Sequence, residues 1–271
     1  ALNLLTPSWF SWRSWFVLHL MGFGMLITPG LRRLPARALP ILGALILLAT
    51  PAMQTLTHTP LDLSNSRMAG VLYESARRTL YVPYAPLKIA LTQGQFPIFG
   101  WLSFFLFGLA SGRALSEGRQ GFVLRLGVIV LVCGVAAAIV GELVGFPAKS
   151  YGHLATRMHI PFFPASPALL AMLAGGVLVA IALVMRERAQ PRLHESHPMV
   201  TLGRASLTLL LLHVYLFREL TRPIDWWRAF EAGPALAILG TFTLVAFVLA
   251  WLWQRVDYRF GAEWLLRKLA P

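Results

Sequence analysis

The few ionisable side chains inside the apolar runs of this chain are its first candidates for chemistry, because such groups are costly in hydrocarbon unless paired or facing a polar cavity. His213 follows four consecutive leucines, Leu209–Leu212. An imidazole that titrates near neutral pH is the usual proton carrier in general acid–base catalysis. His213 is therefore the predicted catalytic residue, with hydrogen bonding between helices as the alternative.

Four further residues are predicted to bind substrate: Arg204, Glu142, His153 and His159. Arg204 lies near one end of its apolar run, where snorkelling to the headgroups is the simpler explanation. Glu142 precedes a loop rich in cations, so an ion pair explains it as well as catalysis does. His153 and His159 are six residues apart, which is not the i,i+4 spacing of a helical metal pair, and no metal is predicted.

The elements that position these residues are predicted to be membrane-spanning helices. Of 271 residues, 57% are hydrophobic and 13% charged, whereas soluble domains carry about 25% charged residues. A crossing needs about 20 apolar residues, and we count about seven such runs. They lie near 12–30, 38–54, 96–112, 121–145, 166–185, 199–219 and 234–253. The prediction is an all-α polytopic transmembrane helix bundle forming one domain over 1–271, with Pro40 and Pro51 able to kink the second helix.

Basic residues set the predicted orientation. The net charge is +13, from 24 Lys and Arg against 11 Asp and Glu. The cations lie between apolar runs instead of forming a stripe with aromatics, so the predicted partners are membrane lipids and not nucleic acid. Per residue they are densest in four connections, which we assign to the cytoplasm together with the C terminus, leaving the N terminus outside. These connections are 31–37, 113–120, 186–198 and 254–271.

The longest connection, 55–95, falls on the predicted extracytoplasmic side. Met68, Val71, Leu72 and Ala76 are spaced as on an amphipathic helix, which predicts a helix lying on the outer membrane surface. Common catalytic motifs do not indicate a reaction here, because the sequence contains no nucleotide-binding loop, nucleophile elbow, HExxH or CxxC pair. Cys133 is the single cysteine, so an intramolecular disulfide is excluded.

Three stretches together resemble bacterial proteins similar to heparan-α-glucosaminide N-acetyltransferase, within the membrane acyltransferase superfamily. Phe96 to Gly108, continuing to Gly112-Arg113, resembles the helix "FP…PWLGFFLLG…GR" of that group. Leu202 to Tyr215 resembles its helix "GR-x-(P/S/A)-L…LLH". Tyr258 to Arg267 is similar to the ending "FR-x-GPLEWLWR" of related members.

The resemblance implies transfer of an acyl group, usually acetyl from acetyl-CoA, to a sugar or lipid-linked glycan. The donor would arrive from the cytoplasm and the acceptor from outside, at the bacterial inner membrane. The group's opening helix and its catalytic histidine have no counterpart in residues 1–30. We therefore expect either the C-terminal part of a longer family domain or a shortened relative. An inactive accessory subunit that packs against other membrane proteins is the alternative to a membrane-bound O- or N-acyltransferase.

Overall fold

The helices of the computed structural model follow the apolar runs. It describes residues 15, 17–59, 85–94, 96–158, 165–186, 197–221, 226 and 230–269, and every regular element within those residues is helical. The described residues divide into two compact units, one that ends at residue 186 and one that begins at residue 197. We call them the N-terminal unit and the C-terminal unit. The predicted single transmembrane domain stays a prediction.

The described part of the N-terminal unit has seven helices, of which the third continues as a π-helical turn, Ile89–Gln93. They are α1 (Val17–Leu31), α2 (Ala38–Leu56), α3 (Ala85–Lys88), α4 (Ile98–Ser116), α5 (Gln120–Val144), α6 (Tyr151–Thr156) and α7 (Pro167–Arg186).

The described part of the C-terminal unit has four helices, of which the second continues as a π-helical turn, Tyr215–Leu220. They are α8 (Pro198–Arg204), α9 (Ser206–Val214), α10 (Ala232–Trp253) and α11 (Ala262–Leu269).

Five of these helices are long and apolar enough to cross a membrane, namely α2, α4, α5, α7 and α10. The segments Val17–Leu31 and Ser206–Phe217 are apolar but shorter. The predicted polytopic helical bundle is confirmed, and the chain is an integral membrane protein. The number of crossings and their orientation stay predictions.

Small residues let α5 and α7 approach closely. A Cβ added at Gly134 would lie 2.6 Å from the backbone nitrogen of Met172, and one at Gly127 would lie 2.8 Å from that of Val179. Gly175 of α7 faces the backbone of Leu131 in the same way. Since lipid tails are as apolar as leucine, close backbone packing of this kind is what holds helices together in a membrane.

Proline does not break α2. The helix is continuous from Ala38 to Leu56 although Pro51 lies in its interior and removes one intrahelical hydrogen bond. Pro40 lies in the first turn, where the missing N–H has no intrahelical partner to lose. The break lies in α4 instead, where Gly100 has φ 98° and Phe99 is extended. A side chain at Gly100 would also meet Leu170 at 2.8 Å. Glycine is required there by both conformation and space.

Two predicted features lie outside the described residues. The amphipathic helix expected around Met68 to Ala76 falls within 60–84. The start of the first predicted run, residues 12–16, also lies outside the described residues, apart from Trp15.

Candidate functional site

A tight reversal of the chain joins α10 to α11 in the C-terminal unit. Asp257, Tyr258 and Phe260 have φ values of 53°, 52° and 66°. Such left-handed conformations cost about 1–3 kcal/mol each for residues other than glycine, so surrounding contacts must hold them. Trp253 supplies two of these contacts. Its Nε1 donates to the carbonyl of Arg259 at 2.8 Å, and its ring centroid is 6.0 Å from that of Tyr258.

Glu263, in the first turn of α11, caps the N terminus of α9. Its Oε1 accepts hydrogen bonds from the backbone nitrogens of Leu207, at 2.6 Å, and Thr208, at 3.0 Å. Its Oε2 accepts from Oγ1 of Thr208, and that Oγ1 accepts from the nitrogen of Ala262 at 2.8 Å. Ala205, at the N-cap position, has no side-chain oxygen to do this. These hydrogen bonds therefore connect the reversal to the start of α9.

The same contacts set the charge of Glu263. Partial burial raises the pKa of its carboxyl, but hydrogen bonds from the Thr208 side chain and from backbone amides, including that of Leu207, lower the pKa by more. The net pKa lies below the ordinary value of 4.5. At neutral pH the carboxylate is ionised and lies at the positive end of the α9 dipole. This arrangement stabilises both the negative charge and the helix.

A pocket of about 860 Å³ opens beside this reversal. Its lining is polar and carries three guanidinium groups and two carboxylates, of which Glu263 is already bonded to α9. Arginine presents its donors in a planar fork that matches phosphate oxygens. The pocket therefore suits a phosphate-bearing ligand. Its lining residues are Arg204, Gln254, Asp257, Tyr258, Arg259, Glu263, Trp264 and Arg267.

Of the predicted site residues, Arg204 lies in this pocket and His213 lies farther along the same segment. They are nine positions apart, which a continuous helix would span in about 13 Å, although the helix is interrupted at Ala205. Nδ1 of His213 is 3.3 Å from the carbonyl oxygen of Leu209. Because a carbonyl can only accept, this contact requires hydrogen on Nδ1 and leaves Nε2 of the neutral ring as a proton acceptor. The π-helical turn that begins at Tyr215 follows directly.

The other predicted residues are in the N-terminal unit. Glu142 is exposed in the last turn of α5. His153 is half-buried in α6, and its amide donates to Oγ of Ser150 at 3.2 Å. His159 lies outside the described residues. The substrate-binding roles of these three residues stay predictions, as does the catalytic role of His213.

Sequence reasoning missed most of the pocket. Glu263, Arg259 and Arg267 belong to a stretch that carries the resemblance, yet none was predicted as a site residue. The signal in the sequence was Glu263 followed by Trp264 in an ending that has four Arg and Lys residues and only one other acidic residue, Asp257. Nothing in the sequence pairs Glu263 with Thr208.

A second polar cluster is buried in the N-terminal unit, at the end of α2. Oγ1 of Thr57 lies 2.9 Å from that of Thr59 and 2.7 Å from that of Thr92. Gln93 Nε2 donates to the carbonyl of Thr57 at 3.0 Å. Within the described residues, Oε1 of Gln54 is buried without a hydrogen-bond partner. A buried acceptor of this kind is where water or a ligand hydroxyl binds.

Metal ligands do not cluster in the described part of the chain, where no three His, Cys, Asp or Glu residues lie close enough to hold an ion. Cys133 is exposed on α5.

Comparison with known proteins identifies the family. The family model described as an acyltransferase domain matches residues 2–253, which is most of the chain. Neither the curated proteins nor the solved structures contain a match. The matched range includes α1 to α10, and therefore both His213 and Arg204. This chain belongs to the membrane acyltransferase family.

Proposed function

We propose that the protein transfers an acetyl group from acetyl-CoA to a sugar or glycolipid on the extracytoplasmic side of the bacterial inner membrane. In this proposal it is an O- or N-acyltransferase similar to heparan-α-glucosaminide N-acetyltransferase. The observation that carries the proposal is the arginine-lined pocket at the N-terminal end of α9, the helix that holds His213.

The pocket has the chemistry that the donor requires. Acetyl-CoA is an activated acetyl thioester attached to a nucleotide that carries several phosphates. Arg204, Arg259 and Arg267 supply guanidinium donors for those phosphates. Trp264 adds an aromatic side chain to the lining, and an adenine ring could stack on the face that is not covered by Lys268, whose Nζ lies 4.8 Å from the ring centroid. The basic ending 254–271 is predicted to be cytoplasmic, which is the side where acetyl-CoA is found.

His213 is suited to move the proton that acyl transfer requires. A hydroxyl or amine acceptor loses a proton as it attacks the thioester carbonyl, and a positioned imidazole can take that proton. The C–S bond of the thioester then breaks, and CoA leaves as a thiolate that the imidazolium can protonate. The contact between Nδ1 and Leu209 leaves Nε2 available for this role. A separation of about 13 Å, which nine positions of a continuous helix would span, can be bridged by the long pantetheine arm of CoA.

An inactive accessory subunit remains the alternative. It would bind other membrane subunits instead of a glycan acceptor, and neither His213 nor the arginines would act on a substrate. The two functions differ in a single measurable property, which is acetyl incorporation.

The test is acetyl transfer from radiolabelled acetyl-CoA to membrane glycolipids by the full-length purified protein. His213→Ala is compared with His58→Asn, which replaces an exposed histidine at the end of α2. Asparagine tolerates the positive φ of 51° at that position. Arg259→Gln tests the donor pocket, with Arg255→Gln as a matched control outside its lining.

We expect His213→Ala to lower incorporation by about 100-fold or more, the usual contribution of a general base, and His58→Asn to leave it unchanged. We expect Arg259→Gln to raise KM for acetyl-CoA more than it lowers kcat. Equal activity of the wild type and His213→Ala would remove His213 from the mechanism. Absence of incorporation by the wild type would favour the accessory subunit.

A further inference from the structure

A smaller pocket in the N-terminal unit has no role in the proposed acyl transfer. It has a volume of about 360 Å³ and lies where α1 ends, α2 begins and α4 ends. Its lining includes two guanidinium groups, a hydroxyl and two leucines. The lining residues are Arg32, Leu39, Leu109, Gly112, Arg113 and Ser116.

Arg113 is held in place before any ligand arrives. Its Nη1 donates to the carbonyl of Leu34 at 2.9 Å, and its Nε lies 3.4 Å from Oε1 of Glu117. The second oxygen of Glu117 is bonded to Arg119. A guanidinium has five N–H donors, so donors of Arg113 remain for a ligand. Its prior fixation reduces the entropy lost when a ligand binds.

The surroundings of the pocket are strongly basic. Residues 31–37 and 113–119 contain five arginines and one carboxylate, that of Glu117. Glu117 is engaged by two of these arginines and neutralises only part of their charge. An anion in the pocket is therefore attracted by more positive charge than the two lining guanidinium groups provide alone.

Apolar side chains are exposed on two of the helices that border the pocket. Leu39 in the lining is almost fully buried, while Ile41 and Leu45 of α2 are exposed. Met25 and Leu26 near the end of α1 are exposed as well. In an integral membrane protein such apolar surface contacts acyl chains. A ligand held here would have an anionic head beside the arginines and hydrocarbon along these side chains.

We propose that this pocket binds the phosphate headgroup of an anionic phospholipid, with Arg32 and Arg113 on the phosphate and the acyl chains along α1 and α2. Basic pockets between transmembrane helices are known to hold such headgroups. A free phosphate shares the headgroup chemistry but gains nothing from the leucines. This site is independent of the acetyl-CoA proposal.

The test is native mass spectrometry of the full-length protein in neutral detergent, titrated with phosphatidylglycerol or with phosphatidylcholine of the same chain length. Arg32→Gln is compared with Arg33→Gln, which removes the same charge from the next residue without altering the pocket lining. Both arginines are exposed, so neither change should disturb folding. A competition with inorganic phosphate distinguishes the lipid from the free anion.

We expect one tightly retained phosphatidylglycerol, weakened about fivefold by Arg32→Gln and little affected by Arg33→Gln. Phosphatidylcholine should be retained less, and inorganic phosphate at equal concentration should not displace the lipid. Equal losses in the two variants, equal retention of the two lipids, or displacement by inorganic phosphate would each overturn the proposal.

Discussion

Glu263 connects two helices through one carboxylate. It accepts from the first amides of α9 and from the Thr208 hydroxyl, and its own helix begins at the reversal that forms the arginine-lined pocket. Because α9 also carries His213, Glu263 positions two parts of the candidate site at once. It does so as a helix cap and does not need to touch a substrate.

Replacing Glu263 with Gln should destabilise the C-terminal unit by about 1 kcal/mol, the usual cost of losing a helix cap. The amide keeps one acceptor but loses the charge and presents N–H groups to Thr208. Apparent melting temperature of the detergent-solubilised protein is the measurement. Glu231→Gln is the matched control, since Glu231 is exposed and makes no side-chain cap at α10. Equal melting temperatures for the two variants would contradict the capping role.

Glu263 should also make stability depend on pH in the acid range. Burial raises its pKa and the bonds from Thr208 and Leu207 lower the pKa by more, so the folded-state pKa lies below 4.5. A depressed pKa means that the stabilisation is complete above pH 4.5 and disappears as the pH falls through the folded-state value. The wild type and Glu263→Gln should therefore differ in melting temperature at pH 7 and converge in acid. A difference that grew on acidification would rule this out.

Some of these site residues could be predicted from the sequence and others could not, and the difference has a physical reason. His213 and Arg204 were found because an ionisable group in an apolar run is conspicuous. Glu263 was missed because it lies beyond the last apolar run and its partner Thr208 is 55 residues away. The left-handed backbone at Asp257 and Tyr258 has no signal either, since neither residue is glycine.

At the scale of the helices, prediction succeeded where hydropathy decides the outcome. The bounds of α2, α5, α7 and α10 fall close to the predicted runs, because hydrocarbon requires about 20 apolar residues whatever the neighbouring helices do. The π-helical turns and the break at Gly100 were not predicted. The positions of such irregularities depend on how a helix packs against its neighbours, which hydropathy does not show. At Gly100, for example, the neighbour is Leu170 of α7.

The close packing of α5 against α7 should depend on Gly175. A Cβ there would lie 2.6 Å from Cα of Leu131 and 2.7 Å from the carbonyl oxygen of Gly127, both backbone atoms that cannot move independently. Gly175→Ala should destabilise the N-terminal unit by about 1–3 kcal/mol, the usual cost of overpacking. Gly176→Ala, one residue away, adds its Cβ to open space and should be neutral or stabilising.

Thermal unfolding of both glycine variants in detergent provides the comparison. The adjacent positions share the same helix and the same gain in helix propensity, so a lower melting temperature for Gly175→Ala isolates the contact with α5. Equal behaviour of Gly175→Ala and Gly176→Ala would show that the two helices separate without cost.

At the scale of the whole molecule, the distribution of charge links orientation to function. Acetyl-CoA is a cytoplasmic anion, and the proposed donor pocket is built from the basic ending 254–271. The proposal therefore requires that this ending face the cytoplasm. Orientation was predicted from the connections alone, because the positive-inside rule acts on loops and not on the packing of helices.

Accessibility to a membrane-impermeant maleimide in intact cells tests that requirement. In a Cys133→Ala background, Ser116→Cys reports on the basic connection after α4, and Ala148→Cys reports on the connection after α5. Both positions are exposed. We expect Ala148→Cys to be labelled from outside and Ser116→Cys only after lysis, which also controls for its reactivity. The reverse pattern would place the basic connection after α4 outside and would contradict the predicted orientation from which the cytoplasmic position of 254–271 is inferred.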